Sequence, residues 1–263
     1  MSDTGTDWDL DRRVGLAIAM ADAVRPTVLG YFHGDIGFDV KPDATPVTKA
    51  DREVESVMRR MIEEAFPEHG ILGEEHDAVR TDASEVWVLD PIDGTKSFVT
   101  GKPLFGTLIA LVRDGRPRVG IIDMPALNER WVGVEGRPTV YNDNASRVRA
   151  CPDIGDAWLY ATSPQMFVGD DALAFERVRK RCSVAVYGAD CYAYGLLARG
   201  KVDLVCEARM APYDYCALVP VIEGAGGIIT DWSGRPLGLQ SDGRVLAAGD
   251  PRTHAAAGAL LAA

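Results

Sequence analysis

The sequence predicts a mixed α/β fold, and three observations carry that reading. An apolar run from Val86 to Leu89, β-branched at Val86 and Val88, sits among segments of helical periodicity and stops at an acidic string. Residues 106–140 break into short β-rich stretches with Asp114-Gly115 between two of them, the pattern of an antiparallel meander. Beyond residue 146, strand-like and helix-like segments alternate again, which predicts a second α/β layer.

Taken in order, Leu10, Val14, Ala17, Ala21, Val24 and Val28 recur at helical spacing and predict one long amphipathic helix over 9–32, kinked at Pro26. The stretch from Lys41 to Asp51 is loop-like, with Lys41 solvated, and then turns helical. Thr48 and Asp51 resemble a capping pair, and Val54, Val57, Met61 and Ala65 continue an apolar face. Asp51 therefore reads as an N-terminal helix carboxylate or as a residue near a metal site. Ile71-Leu72 is a short strand ending in Gly73-Glu74-Glu75-His76. Alone that cluster is a solvated turn; if its strand neighbours the next, Glu74 and Asp90 face one site.

That next strand delivers Asp90 to its end, where ligands gather in α/β folds. Pro91 lacks an N–H and takes the chain rigidly out of the sheet, and Gly94 permits a tight turn with room for a ligand. Asp93-Gly94 by itself is a plain turn. Two carboxylates three residues apart on such a turn can converge, however, and converged anions repel unless a cation lies between them. Mg²⁺ is the hard cation that prefers oxygen ligands and partners phosphate, and if Thr95 opens a helix, its N–H groups add an anion site. Phosphotransferases with a nucleophilic Asp also end a strand in Asp followed by Asp-Gly-Thr, but with one residue between the two Asp. Here Pro91 and Ile92 both intervene, which counts against a covalent aspartyl phosphate.

The meander comprises Thr107–Val112, Arg118–Asp123 and Arg130–Val134, and polar Tyr141–Ser146 is the boundary between domains at 1–145 and 146–263. After it come strands at 158–161, 184–187 and 202–206, with helices near 170–182 and 191–199. Pro212-Tyr213-Asp214 opens a segment whose Leu218, Val221, Ile222 and Ala225 fit a helix closed by Gly226-Gly227. Asp214 at its positive end is an N-cap or a metal carboxylate. His254–Ala263 reads as a short surface helix.

Composition narrows the function classes. A chain of 263 residues with 47% hydrophobic and 25% charged residues is an ordinary globular protein of one large or two mid-sized domains. Its formal charge of −11 repels nucleic acid and anionic membrane. The acidic start is unlike a secretory signal, and no apolar run approaches a membrane span. Five cysteines, at 151, 182, 191, 206 and 216, without Cys-x-x-Cys, fit free buried thiols in a reducing cytoplasm.

Gly73-Glu74-Glu75, then Asp90-Pro-Ile-Asp93-Gly-Thr95, then Asp214 ahead of Glu223-Gly-Ala-Gly-Gly227 together resemble the inositol monophosphatase family of Mg²⁺-dependent, lithium-sensitive phosphomonoesterases, from about Val47 to Gly234. The resemblance implies a five-layer αβαβα sandwich and a homodimer, with most metal ligands in the first half and Asp214 and the substrate pocket in the second. By motif, Glu74, Asp90, Asp93, Asp214 and the Ile92 carbonyl would be metal ligands for roughly two or three Mg²⁺ per site, with Mn²⁺ as an alternative ion. Gly94 and Thr95 would hold phosphate. Glu74, Thr95 and Asp51 would form the catalytic group, with Asp51 and Thr95 near the attacking water. Tyr213 departs from the Trp of many members, at a position that supports packing.

Lys96-Ser97-Phe98 with the following Gly-x-Pro-Leu-Phe-Gly-Thr, and Gly188-Ala-Asp-Cys-Tyr-Ala-Tyr-Gly, look most like the histidinol-phosphate phosphatase branch. Positions matching Asp190 and Glu207 line the substrate pocket in that family. Two carboxylates favour a cationic leaving group, which makes L-histidinol phosphate the expected small-molecule substrate, hydrolysed directly by water. Alternatively Glu207 pairs with Arg209 and Asp190 caps the helix near Cys191. The competing functions are an inositol or other sugar monophosphatase, a nucleotide 3′-phosphatase, and a metal-dependent binding protein without turnover.

Overall fold

The computed structural model describes residues 9–34, 38–40 and 46–263. Lys41 and the side chain of Thr48 lie outside what is described. The chain runs α1 (Leu10–Phe32), β1 (Phe38–Val40), β2 (Pro46–Thr48), α2 (Lys49–Ala65), β3 (Gly70–Gly73), β4 (Glu85–Asp93), α3 (Thr95–Val99), β5 (Gly106–Arg113), β6 (Arg116–Met124), β7 (Glu129–Val134), β8 (Val140–Tyr141) and β9 (Asn144–Ala145). It continues through β10 (Trp158–Ala161), α4 (Asp170–Arg181), β11 (Val184–Tyr187), α5 (Tyr192–Ala198), β12 (Leu204–Glu207), α6 (Pro212–Tyr215), α7 (Leu218–Gly224), β13 (Ile228–Thr230), β14 (Val245–Ala248) and α8 (Pro251–Ala262). A seven-stranded sheet has the order β3-β4-β5-β6-β7-β8-β9, and a five-stranded sheet the order β11-β10-β12-β14-β13.

The period-2 alternation of the strands sorts the layers. Trp87, Leu89, Ile109, Leu111 and Ile121 face α1 and α2, meeting Met20, Val24, Val54, Met58 and Ile62. Val86, Val88, Leu108, Ala110 and Ile122 face the other way, onto Tyr194, Leu197, Leu218 and Ile222 of α5 and α7. The far side of that helix layer meets Val205, Ile229, Val245 and Ala247 of the second sheet. Leu159, Leu204, Cys206 and Leu246 then pack on α4 and α8 through Ala174, Val178 and Ala257. The result is the five-layer αβαβα sandwich, each fully buried large side chain contributing roughly 1.5–3 kcal/mol of transfer free energy. Gly120 and Gly133 are cross-strand partners on β6 and β7, and a Cβ on either would overlap backbone of the 217–221 segment. Missing side chains are what let α7 lie this close.

Several expectations are corrected. β4 does not end at Pro91: it runs to Asp93, with Asp90 opposite Leu108, Asp93 opposite Gly106 and a register shift between them. Pro91 cannot donate to the ladder, so the strand bulges there and resumes. The segment after Pro212 forms two short helices, α6 and α7, and Asp214 is the third residue of α6, behind Ala211 as N-cap. Asp190 has φ +48 and stands before Cys191, the N-cap of α5, so it caps no helix. The C-terminal helix begins at Pro251 behind the N-cap Asp250, and Ala257 and Leu261 bury against the α4 layer. Strands β13 (Ile228-Ile-Thr) and β14 (Val245-Leu-Ala-Ala) show no polar–apolar alternation, and the sequence alone does not predict them.

Candidate active site

β3 and β4 are parallel neighbours, with Gly73 opposite Leu89, so the residues that follow, Glu74 and Asp90, lie side by side at one sheet end. A regular strand would send residues 90 and 93 to opposite faces. The bulge removes that alternation, and side chains lock it: Asp90 Oδ1 accepts the Ile92 N–H at 3.0 Å, Thr107 Oγ1 donates to the Pro91 carbonyl at 2.8 Å, and Thr95 Oγ1 donates to the Ile92 carbonyl at 3.1 Å. Asp214 arrives from α6 in the middle layer, its Oδ2 accepting the Ala211 N–H at 2.7 Å. Carboxylate oxygens of Asp90, Asp93 and Asp214 thereby lie within 4.8 Å of one another.

Burial and mutual repulsion make the ionised cluster costly. Asp90, 1% exposed, has its pKa pushed well above the ordinary carboxylate value, first by burial and then by Glu74, Asp93, Asp214 and Asp51. Asp93 is raised by burial, Asp190 and Asp214, while the Cys191 N–H pulls it back. Oxygen donors of this number and charge fit a hard divalent cation. A phosphate dianion would be repelled by them unless positive charge intervened.

Glu74, Asp90, Ile92, Asp93, Gly94, Thr95, Asp190 and Asp214 all line one cavity of about 160 Å³. Glu207 lines an adjoining cavity of about 150 Å³ that shares Asp93, Thr162, Asp190 and Asp214. Asp51 is fully buried on the first turn of α2, close enough to raise Asp90. Gly94 takes φ +82, and a Cβ there would stand 3.2 Å from Asp190 Oδ2, so the two turns touch. Ser97 Oγ donates to Asp190 Oδ2 at 3.4 Å, and burial raises Asp190 against the opposing pull of Lys102, Ser97 and Lys96.

Glu207 does not pair with Arg209. Its Oε1 accepts the Thr162 N–H and hydroxyl at 2.8 and 2.5 Å, and its Oε2 accepts the Tyr194 hydroxyl at 3.0 Å. Burial pushes its pKa up to about 7 despite those bonds. Sequence reading missed Thr162 and Tyr194, which carry no local signal. It also missed Glu55 and Arg59, although Asp51, Glu55 and Arg59 stand at i, i+4, i+8 and share a helix face.

A strand pair presenting Glu74 beside Asp90, a bulged Asp-Pro-Ile-Asp, and an Asp from a separate helix form one arrangement. The model of the inositol monophosphatase family matches residues 9–263. The chain belongs to that family. It is accordingly a metal-dependent phosphomonoesterase built on the family's fold. Among its relatives is the chloroplastic bifunctional phosphatase IMPL2 of Arabidopsis thaliana, 47% identical over 95% of this chain and 75% of the relative. A histidinol-phosphatase of Mycobacterium tuberculosis is 38% identical over 83% of this chain and 87% of its own. The solved structure of an inositol monophosphatase from Zymomonas mobilis superimposes with TM-score 0.90 at 44% identity, covering 98% of this chain and 100% of that one.

Proposed function

We propose that the protein hydrolyses L-histidinol phosphate to L-histidinol and phosphate, using Mg²⁺ held by Glu74, Asp90, Asp93, Asp214 and the Ile92 carbonyl. The observation that carries this reading is that the cavity beside the carboxylate cluster adjoins a second one and shares Asp93, Thr162, Asp190 and Asp214 with it, so that Asp190 borders the space a leaving group would fill. When bound, the metal supplies charge that neutralises phosphoryl oxygens and acidifies water. Thr95 spends its one proton on the Ile92 carbonyl, so its oxygen is left to accept from a water O–H. Asp51 and Glu74 complete the group that orients and deprotonates this water, and Gly94 and Thr95 receive the phosphate. Water oxygen bonds to phosphorus as the ester P–O bond breaks, the leaving oxygen ends protonated, and no phosphoenzyme forms.

Asp190 supports a cationic leaving group. Glu207, its oxygens engaged by Thr162 and Tyr194, holds the wall of that pocket. Relatives named histidinol-phosphatase at 38% and 33% identity favour the same substrate. The second reading, inositol monophosphate, draws on the 44% identity to the Zymomonas mobilis inositol monophosphatase. A homodimer in a reducing cytoplasm completes the proposal, and the five free thiols support its redox half.

The test is a panel of phosphate monoesters with Mg²⁺, on wild type and Asp190→Asn. A charge-assisted contact of about 1.5–3 kcal/mol makes the variant lose about ten- to a hundredfold in kcat/KM on histidinol phosphate while inositol phosphate is nearly unaffected. Preference of the wild type for inositol phosphate, or equal losses on both esters, overturns the substrate assignment.

A further inference from the structure

We propose that Glu55 is a positioning residue for Glu74, acting through the Gly73–His76 turn; this rests on the reading of Glu74 as a metal ligand. Glu55 is fully buried on α2, one turn beyond Asp51. Its Oε2 accepts the Glu75 N–H at 2.7 Å and its Oε1 accepts Arg59 Nε at 2.6 Å. Arg59 Nη2 in turn donates to the His76 carbonyl at 3.0 Å. One i,i+4 ion pair therefore holds the turn at two successive residues. Gly73 meets the same carboxylate from the other side, where a Cβ would overlap its oxygens.

Glu74 stands between these fixed points. Gly73 is held by its pairing with Leu89 and by contact with Glu55, and Glu75 is held by its N–H. The backbone of Glu74 has little freedom left, and its side chain starts from a defined place beside Asp90. A buried charge is an inefficient way to stabilise a fold, since an apolar residue of similar size often does as well. Orienting a ligand is a different requirement. Supporting groups of this kind hold a ligand's geometry through hydrogen bonds, and their loss weakens metal binding without removing a ligand. Asp51 and Glu55 share one face of α2, so a single helix places a catalytic carboxylate and braces a ligand-bearing turn.

The experiment titrates Mn²⁺ calorimetrically into wild type, Glu55→Gln, Glu74→Gln and the double variant, with steady-state kinetics at varied Mg²⁺. Glu55→Gln is expected to raise the half-saturating Mn²⁺ concentration about ten- to a hundredfold. At saturating Mg²⁺ its KM for the ester stays close to wild type, and the double variant binds no more weakly than Glu74→Gln, because both changes act on one ligand. Unaltered Mn²⁺ affinity with only a lower Tm overturns the proposal, as do losses that add in the double variant. Should Glu55→Gln fail to fold, Gly73→Ala presses on the same contact from the turn and is judged by the same measurements. A wild type that binds no Mn²⁺ refutes the metal-centre reading itself, an outcome distinct from the others.

Discussion

The carboxylate of Asp93 accepts the backbone N–H of Cys191 at 2.7 Å, joining the bulged end of β4 to the entrance of α5 across 98 positions of sequence. An acidic residue of the first sheet is thus set by a donor of the middle helix layer. Gly94 touching Asp190 makes the same junction one residue on. Asp93→Asn retains an oxygen for the Cys191 N–H and removes only charge. It is expected to lower kcat/KM by more than about 100-fold, since even groups that merely support ligands cost 10–100-fold. A loss below tenfold in a Mg²⁺-saturated assay means the ligand is misassigned.

If Asp90 holds Mg²⁺ as proposed, metal binding and stability are coupled through it. Its folded pKa lies well above the unfolded value of about 3.8, so its favourable contribution is present below that pH and is lost as pH rises through the folded pKa. Metal-free protein is therefore expected to lose stability from mildly acid to neutral pH. Added Mg²⁺ reverses that loss, by about 2.7 kcal/mol at a hundred times Kd. Asp90→Asn should raise the metal-free Tm at pH 7.5 while abolishing both the Mg²⁺-dependent rise and hydrolysis. Thermal melts with chelator and with Mg²⁺ give both readings, and a metal-free variant less stable than wild type contradicts the account.

Glu207 gives a second pH dependence of the same sign. Its folded pKa is about 7 against about 4.5 unfolded, so stability is lost as pH rises through that window. Glu207→Gln keeps an acceptor for Thr162 and cannot ionise. Relative to wild type it should gain stability between pH 5 and pH 8 in urea unfolding. A constant difference across that range would mean that Glu207 does not titrate there.

The closeness of α7 to the first sheet is tested at Gly133. Its Cβ would overlap the backbone of Pro220 and Val221, which cannot move aside as a flexible side chain could. Gly133→Ala is expected to cost roughly 1–3 kcal/mol or more by denaturant titration. Val132, beside it and half-buried, provides a control in Val132→Ala, which removes atoms without creating overlap.

Local periodicity made much of this protein legible in its sequence. The α1 stripe from Leu10 to Val28, the β4 run and the Asp114-Gly115 hairpin depend on neighbours within a few residues, and they correspond to α1, β4 and the β5–β6 pair. The acidic motifs were legible for the same reason: each sits at the end of a local element. Tertiary structure alone decided how they meet. That Pro91 bulges β4 depends on β5 pairing on either side of it, at Leu108 and again at Gly106. That Glu207 bonds Thr162 and Tyr194 rather than Arg209 depends on where β10 and α5 pack. What Glu55 bonds depends on where the β3 turn packs against α2. Hydrogen bonds between residues from 13 to 98 positions apart leave no period in a sequence, because the partners are chosen by the packing of layers.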